Sequence, residues 1–148
     1  MSKDWKEKSR PEDLQRLRGF RLMDDDFMSK CFEENIECTE LVLQIVLGRD
    51  DLKVEKVAIQ HQLKNLQGRS VIFDIYATDH AGKRYNVEIQ RADRGAGAKR
   101  ARYHSSLIDA NVTEPGEKLE NLVETYVIFI TERDVLGKGK PIYHIDRV

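Results

Sequence analysis

Two cysteines, Cys31 and Cys38, are all the thiols in 148 residues. Their spacing matches no zinc-binding pattern and no second pair completes one, which excludes a structural zinc site of the usual kind. So few cysteines also point to a reducing, cytoplasmic setting. Cys38 falls on an apolar face and is expected to be a buried free thiol. An excess of one charge is missing as well: 25 Lys and Arg stand against 26 Asp and Glu, a net charge of -1. Nothing global pulls the chain toward nucleic acid, so any such contact must come from a local patch. No apolar run is long enough to span a membrane, and MSKDWKEKSRPEDLQRLRG lacks the hydrophobic core of a secretion signal. Internal repeats and low-complexity segments are absent. Gly95-Ala96-Gly97 is too short for a nucleotide-binding fingerprint, Ser105 and Ser106 have no GxSxG elbow, and His61, His80 and His144 share no zinc spacing.

What is present is an ordinary globular composition, 40% hydrophobic and 34% charged, of a length that suits one domain with its own core. Residues 1–19 read as a flexible charged arm bearing Lys3, Lys6, Lys8, Arg10, Arg16 and Arg18, with one helical turn from Pro11 to Leu17; residues 20–148 read as the domain. Asp24, Asp25 and Asp26 suit the positive end of a short helix that follows them. The spacing predicts a second helix over Ile36 to Leu47, stopped by Gly48, with Cys38, Leu41, Val42, Ile45 and Val46 as its buried face. Strands are expected at 54–63, 70–77 and 85–91, the last two joined by an Asp79-His80-Ala81-Gly82 turn. A helix over 98–111 and strands at 124–131 and 142–145 complete the order. A helix between the third and fourth strands fits a crossover that makes them parallel neighbours. The expected fold class is therefore α/β, a mixed sheet flanked by helices.

The segment FDIYATDHAGKRYNVEIQR carries a carboxylate inside each of two apolar runs, Asp74 and Glu88. Strand alternation puts Val71, Phe73 and Ile75 on one face and Ile72, Asp74 and Tyr76 on the other, so the hairpin can bring Asp74 beside Glu88 and Gln90. Two carboxylates so close repel unless a cation lies between them. Oxygen donors suit Mg2+ or Mn2+. Asp74 and Glu88 would each give an oxygen and the Ile89 main-chain carbonyl a third, and such an ion activates water toward a phosphodiester. The plain alternative is a pair of acids on a solvated hairpin. Just beyond, Lys83, Arg84, Arg91, Arg94, Lys99, Arg100 and Arg102 make a basic segment. Cations at the start of a helix oppose its dipole, which makes more sense where an anion binds; phosphate contact and a plain charged surface are the two readings. His104 reads as a structural hydrogen bonder or a group at the rim.

Asp74 followed by Glu88-Ile89-Gln90 resembles the core of the PD-(D/E)XK nucleases, and more narrowly their transposase-like, recombination-promoting group. MDDDFMSKCF, KRARYHSSLIDA and ETYVIFI resemble, in the same order, that group's N-terminal segment, its helix after the glutamate strand and its following core strand. The resemblance implies a restriction-endonuclease-like fold and a Mg2+- or Mn2+-dependent DNA endonuclease linked to transposition or recombination. It makes Asp74 and Glu88 the metal ligands, with Asp24 as an added acid and Glu40 its rival; Glu40 points away from the predicted helix face and reads as solvated. Gln90 stands where most such nucleases have lysine: it can orient water but is no base. Arg91, Lys99, Arg100 and Tyr103 would contact DNA, and cutting both strands would suit a homodimer. The resemblance further implies that relatives run beyond residue 148, so a shortened member is expected. The alternative is an inactive nuclease-like module that binds DNA or protein.

Overall fold

Asn35 opens the first long helix: its side chain accepts from the Cys38 N–H at 3.0 Å, and Gly48 closes the helix at φ +62°, returning its own N–H to the Gln44 carbonyl. Such left-handed stops favour glycine because no Cβ meets the backbone. The computed structural model describes residues 30–33, 35–65, 67–90 and 96–146. Helix α1 is Ile36–Leu47 and α2 is Ala98–Val112. The strands are β1 Val54–Lys64, β2 Ser70–Asp79, β3 Arg84–Gln90 and β4 Thr125–Thr131, with a short 3-10 turn at Leu119–Asn121. The arm expected at 1–19, the cap expected at Asp24 to Asp26, and Arg91 and Arg94 lie outside the described residues.

The four strands form one sheet in the order β1-β2-β3-β4. β1–β2 and β2–β3 are antiparallel, and β3–β4 are parallel across the α2 crossover. The β2–β3 turn is organised by Asp79. Its Oδ1 accepts from the Ala81 and Lys83 N–H groups and its Oδ2 from the Tyr85 hydroxyl at 2.6 Å, while Gly82 takes φ +81°. A helix covers each face of the sheet. On one side Leu43 of α1 packs with Phe32, Leu52, Val54, Ile75, Ala77, Tyr85 and Val87; on the other Leu107 and Ile108 of α2 pack with Leu63 and Phe73.

Three expectations are corrected. The buried face of α1 is Thr39 and Leu43, whereas Leu41 and Ile45 are 56% and 65% exposed. Apolar residues run almost all round this helix, so their spacing does not select a face. Residues 142–145 form no strand: the Tyr143 hydroxyl turns back to donate to Asp134 and accepts the Lys138 and Lys140 N–H groups, which holds the segment as an exposed loop. Third, Val71, Phe73 and Ile75 do not share a face. Phe73 packs in the α2 cluster and Ile75 in the α1 cluster. β1 changes face in step, with Val57 and Ile59 toward α1 and Leu63 toward α2. The β1–β2 partner series runs through Ile59↔Ile75 and His61↔Phe73 and skips Gln60 and Asp74 between them. The pleat is broken at this level, apart from a separate register shift between Val54 and Lys56 at the start of β1.

Candidate metal centre

Asp74 sits at the break in β2, and Glu88 two residues from the end of β3. The β2–β3 pairing ends at Ile75↔Val87. Beyond it, side chains replace the backbone ladder: Glu88 Oε2 accepts the Asp74 N–H at 2.7 Å, and Asp74 Oδ2 accepts the Ile89 N–H at 2.9 Å. Each carboxylate is thus held by the other residue's strand, and one oxygen of each has no main-chain donor among the described residues. Gln60 Nε2 donates to Asp74 Oδ1 at 3.4 Å.

Glu88 is 2% exposed. Burial, reinforced by the nearby Asp74 charge, pushes its carboxyl up to about 7, against the pull of the Asp74 N–H and of Arg100. The only basic group paired with it among the described residues is His104 of α2, whose Nδ1 lies 3.7 Å from Glu88 Oε1. That separation does not make an ion pair. Burial and the Arg100 charge lower the imidazole to about 4, so His104 is neutral near pH 7. Its tautomer follows from its other contact: Asn86 Nδ2 donates to the Ile75 carbonyl, which leaves Asn86 Oδ1 to accept from His104 Nδ1–H at 2.8 Å. Phe73 and Phe129 flank the imidazole, at ring-centroid distances of 4.8 and 6.2 Å. Asn86, Glu88 and His104 are therefore a buried polar set inside the α2 interface.

The donor chemistry fits a hard divalent cation. Among the described residues no three His, Cys, Asp or Glu side chains gather as a metal site, but Mg2+ commonly takes only one or two carboxylates and completes its shell with water and substrate oxygen. Two adjacent carboxylates, one of them buried and without a cationic side chain in contact among the described residues, could supply such a partial shell. Gln90, on the last position of β3, accepts the Glu132 N–H through its carbonyl and is partly exposed. Asp24 lies outside the described residues. Its rival Glu40 is not free in solvent: it accepts the Val54 N–H at 2.9 Å and pairs with Lys53 at 3.4 Å, tying α1 to the start of β1. That junction lowers the Glu40 carboxyl, chiefly through the Val54 hydrogen bond.

Lys99 and Arg100 stand exposed in the first turn of α2, which has no acidic residue there and no side-chain cap on Gly97. Tyr103 is partly buried: its hydroxyl accepts from Asn65 Nδ2 at 3.0 Å and Arg69 lies 5.5 Å above its ring, so it binds the β1–β2 hairpin to α2. Sequence reasoning missed the Asn86–His104 pair and Gln60. The apolar spacing of α2 places His104 one turn before Ile108, which could have flagged it as buried; nothing local marks Gln60.

No helix of the described residues is long and apolar enough to cross a membrane. Comparison with curated proteins and with solved structures finds no match. The family model described as PD-(D/E)XK nuclease family transposase matches residues 28–146, which covers the mixed sheet, both helices and the paired carboxylates, and the chain belongs to that family.

Proposed function

We propose that this protein is a divalent-metal-dependent DNA endonuclease acting in transposition or recombination. The observation that carries the reading is the interlocked pair, Asp74 and Glu88, each fixed by the other's strand where the β2–β3 ladder ends. A carboxylate as deeply buried as Glu88 is unfavourable without a counter-charge, and a hard dication supplies one.

Asp74 Oδ1 and Glu88 Oε1 are the oxygens left over from the main-chain bonds, and with the Ile89 carbonyl they would hold Mg2+ or Mn2+. A bound ion of this type would polarise the scissile phosphodiester and acidify water. The Gln90 amide orients water through hydrogen bonds and takes up no proton. Lys99 and Arg100 hold backbone phosphates at the start of α2, where free N–H groups also favour anions. Tyr103 and Arg91 are further candidates for contact with DNA, and Asp24 is the added acid of the proposal. Binding through phosphates alone gives weak sequence preference, and a homodimer would serve both strands.

The test is plasmid cleavage with Mg2+ or Mn2+, comparing wild type with folded Asp74→Ala and Glu88→Ala variants. Metal-dependent cutting by the wild type, lost in both variants, is the expected result. A folded wild type that cuts neither double- nor single-stranded DNA with either ion would refute the activity. It would favour a nuclease-like module that binds DNA or protein without cutting, the reading consistent with an uncharged Gln90.

A further inference from the structure

Gln60 is the single non-glycine residue with positive φ among the described residues, at +52°. It lies in the middle of β1, where a left-handed backbone brings Cβ against the following carbonyl. Glutamine has neither glycine's freedom nor the short side chain with which Asn and Asp offset this conformation. The strain coincides with three other features. Gln60 and Asp74 are the pair skipped by the β1–β2 partner series. Both strands change face at these two residues. And the Asp74 N–H and carboxylate are both engaged with β3, on the Glu88 carboxylate and the Ile89 N–H. The Gln60 amide then reaches Asp74 Oδ1 at 3.4 Å. Gln60 is exposed, so core packing does not demand a long side chain there, and glycine would make the same bend unstrained. Strain of this kind persists where the surrounding structure over-determines it, and it clusters at functional sites.

We propose that Gln60 is a positioning residue for Asp74: its left-handed backbone sets the break at which Asp74 turns to Glu88 and Ile89 of β3, and its side-chain amide fixes Oδ1 while Oδ2 stays on Ile89. The inference rests on the reading of Asp74 and Glu88 as ligands of a divalent ion. Gln60 touches no reacting atom in this role; it acts through Asp74.

Two variants separate backbone from side chain. Gln60→Gly removes both strain and amide; Gln60→Met keeps the strained backbone and the length but lacks the amide. Binding of Mn2+ alone is measured by calorimetry for these, for wild type and for Asp74→Asn, together with thermal melting, DNA binding and plasmid cutting. Gln60→Gly is expected to melt higher than wild type, bind Mn2+ at least tenfold more weakly, and cut at least tenfold more slowly with DNA affinity unchanged. Gln60→Met is expected to show the weaker Mn2+ binding without the higher melting temperature. If Asp74→Asn weakens Mn2+ binding while both Gln60 variants bind and cut as wild type does, the positioning role is overturned and the metal site stands. If Gln60→Gly melts lower than wild type, the backbone was not strained and the proposal is overturned on that ground. If wild-type Mn2+ binding is indifferent to Asp74→Asn, the metal reading itself fails, and the inference fails with it.

Discussion

Replacing Glu88 by glutamine should stabilise the metal-free protein at alkaline pH, although it removes a proposed ligand. The Glu88 carboxyl moves from an ordinary value of 4.5 to about 7 on folding, chiefly because it is buried. The folded state therefore keeps a proton that the unfolded chain has released. Its contribution is full below pH 4.5, is lost as the pH rises toward 7, and stays lost above that. At about 1.4 kcal/mol per pH unit the loss is on the order of 3 kcal/mol. Glutamine keeps an acceptor for the Asp74 N–H and carries no charge, but it leaves an amide N–H to be satisfied, which returns roughly 1 kcal/mol. The net expectation is a gain of about 2 kcal/mol at pH 8, or roughly 4–8 °C in melting temperature for a chain of this size. Thermal melts of wild type and Glu88→Gln in EDTA, from pH 4.5 to 8.5, measure it. His104 contributes the opposite slope, since its lowered value of about 4 means stability is lost as pH falls below 6.5. That contribution is common to both proteins and drops out of their difference. The difference should be small near pH 4.5 and grow to its plateau near pH 7.5. A Glu88→Gln protein that melts below wild type at pH 8, or a difference that ignores pH, would refute the account of Glu88 as a buried, uncompensated acid. Adding Mg2+ should then raise the wild type and leave the variant unchanged, because only ligand binding to the folded state shifts the melt.

His104→Phe leaves Asn86 Oδ1 in the core without its donor, and a loss of about 1–3 kcal/mol is expected in urea unfolding. Lys99→Ala and Arg100→Ala should each reduce the slope of log affinity against log salt by about 1 for DNA binding, with melting temperatures unchanged because both side chains are exposed. Loss of cutting in Asp74→Ala and Glu88→Ala, and the higher melting of Gln60→Gly with weaker Mn2+ binding, complete the set.

Much of the scaffold was legible because its signals are local. Helix α1 spans Ile36–Leu47 and stops at Gly48 as expected, since a left-handed stop is decided within a turn of the helix; the Asn35 cap is a further local signal that sequence reasoning missed. The β2–β3 hairpin was readable from Asp79 and Gly82 for the same reason. The glycine-bearing stretch followed by an amphipathic helix between two apolar strands correctly implied a parallel crossover. Local signals failed where the answer depends on a distant partner. Leu41 and Ile45 match the helical repeat as well as Leu43 does, and only the position of the sheet selects among them. Ile142-Tyr143-His144-Ile145 has strand composition, yet Asp134 captures the Tyr143 hydroxyl and no ladder forms.

By itself the sequence determined the order from α1 through β4 and the presence of two carboxylates on neighbouring strands, because periodicity, caps and turn chemistry act over a few residues. Tertiary structure alone decided how those carboxylates meet. Regular alternation does not predict that β1 and β2 change face together at Gln60 and Asp74, that Glu88 is carried beneath α2, or that His104 stays neutral beside it. Each follows from long-range packing: two helices compete for opposite faces of one sheet, and the strand at their boundary breaks its pleat to serve both.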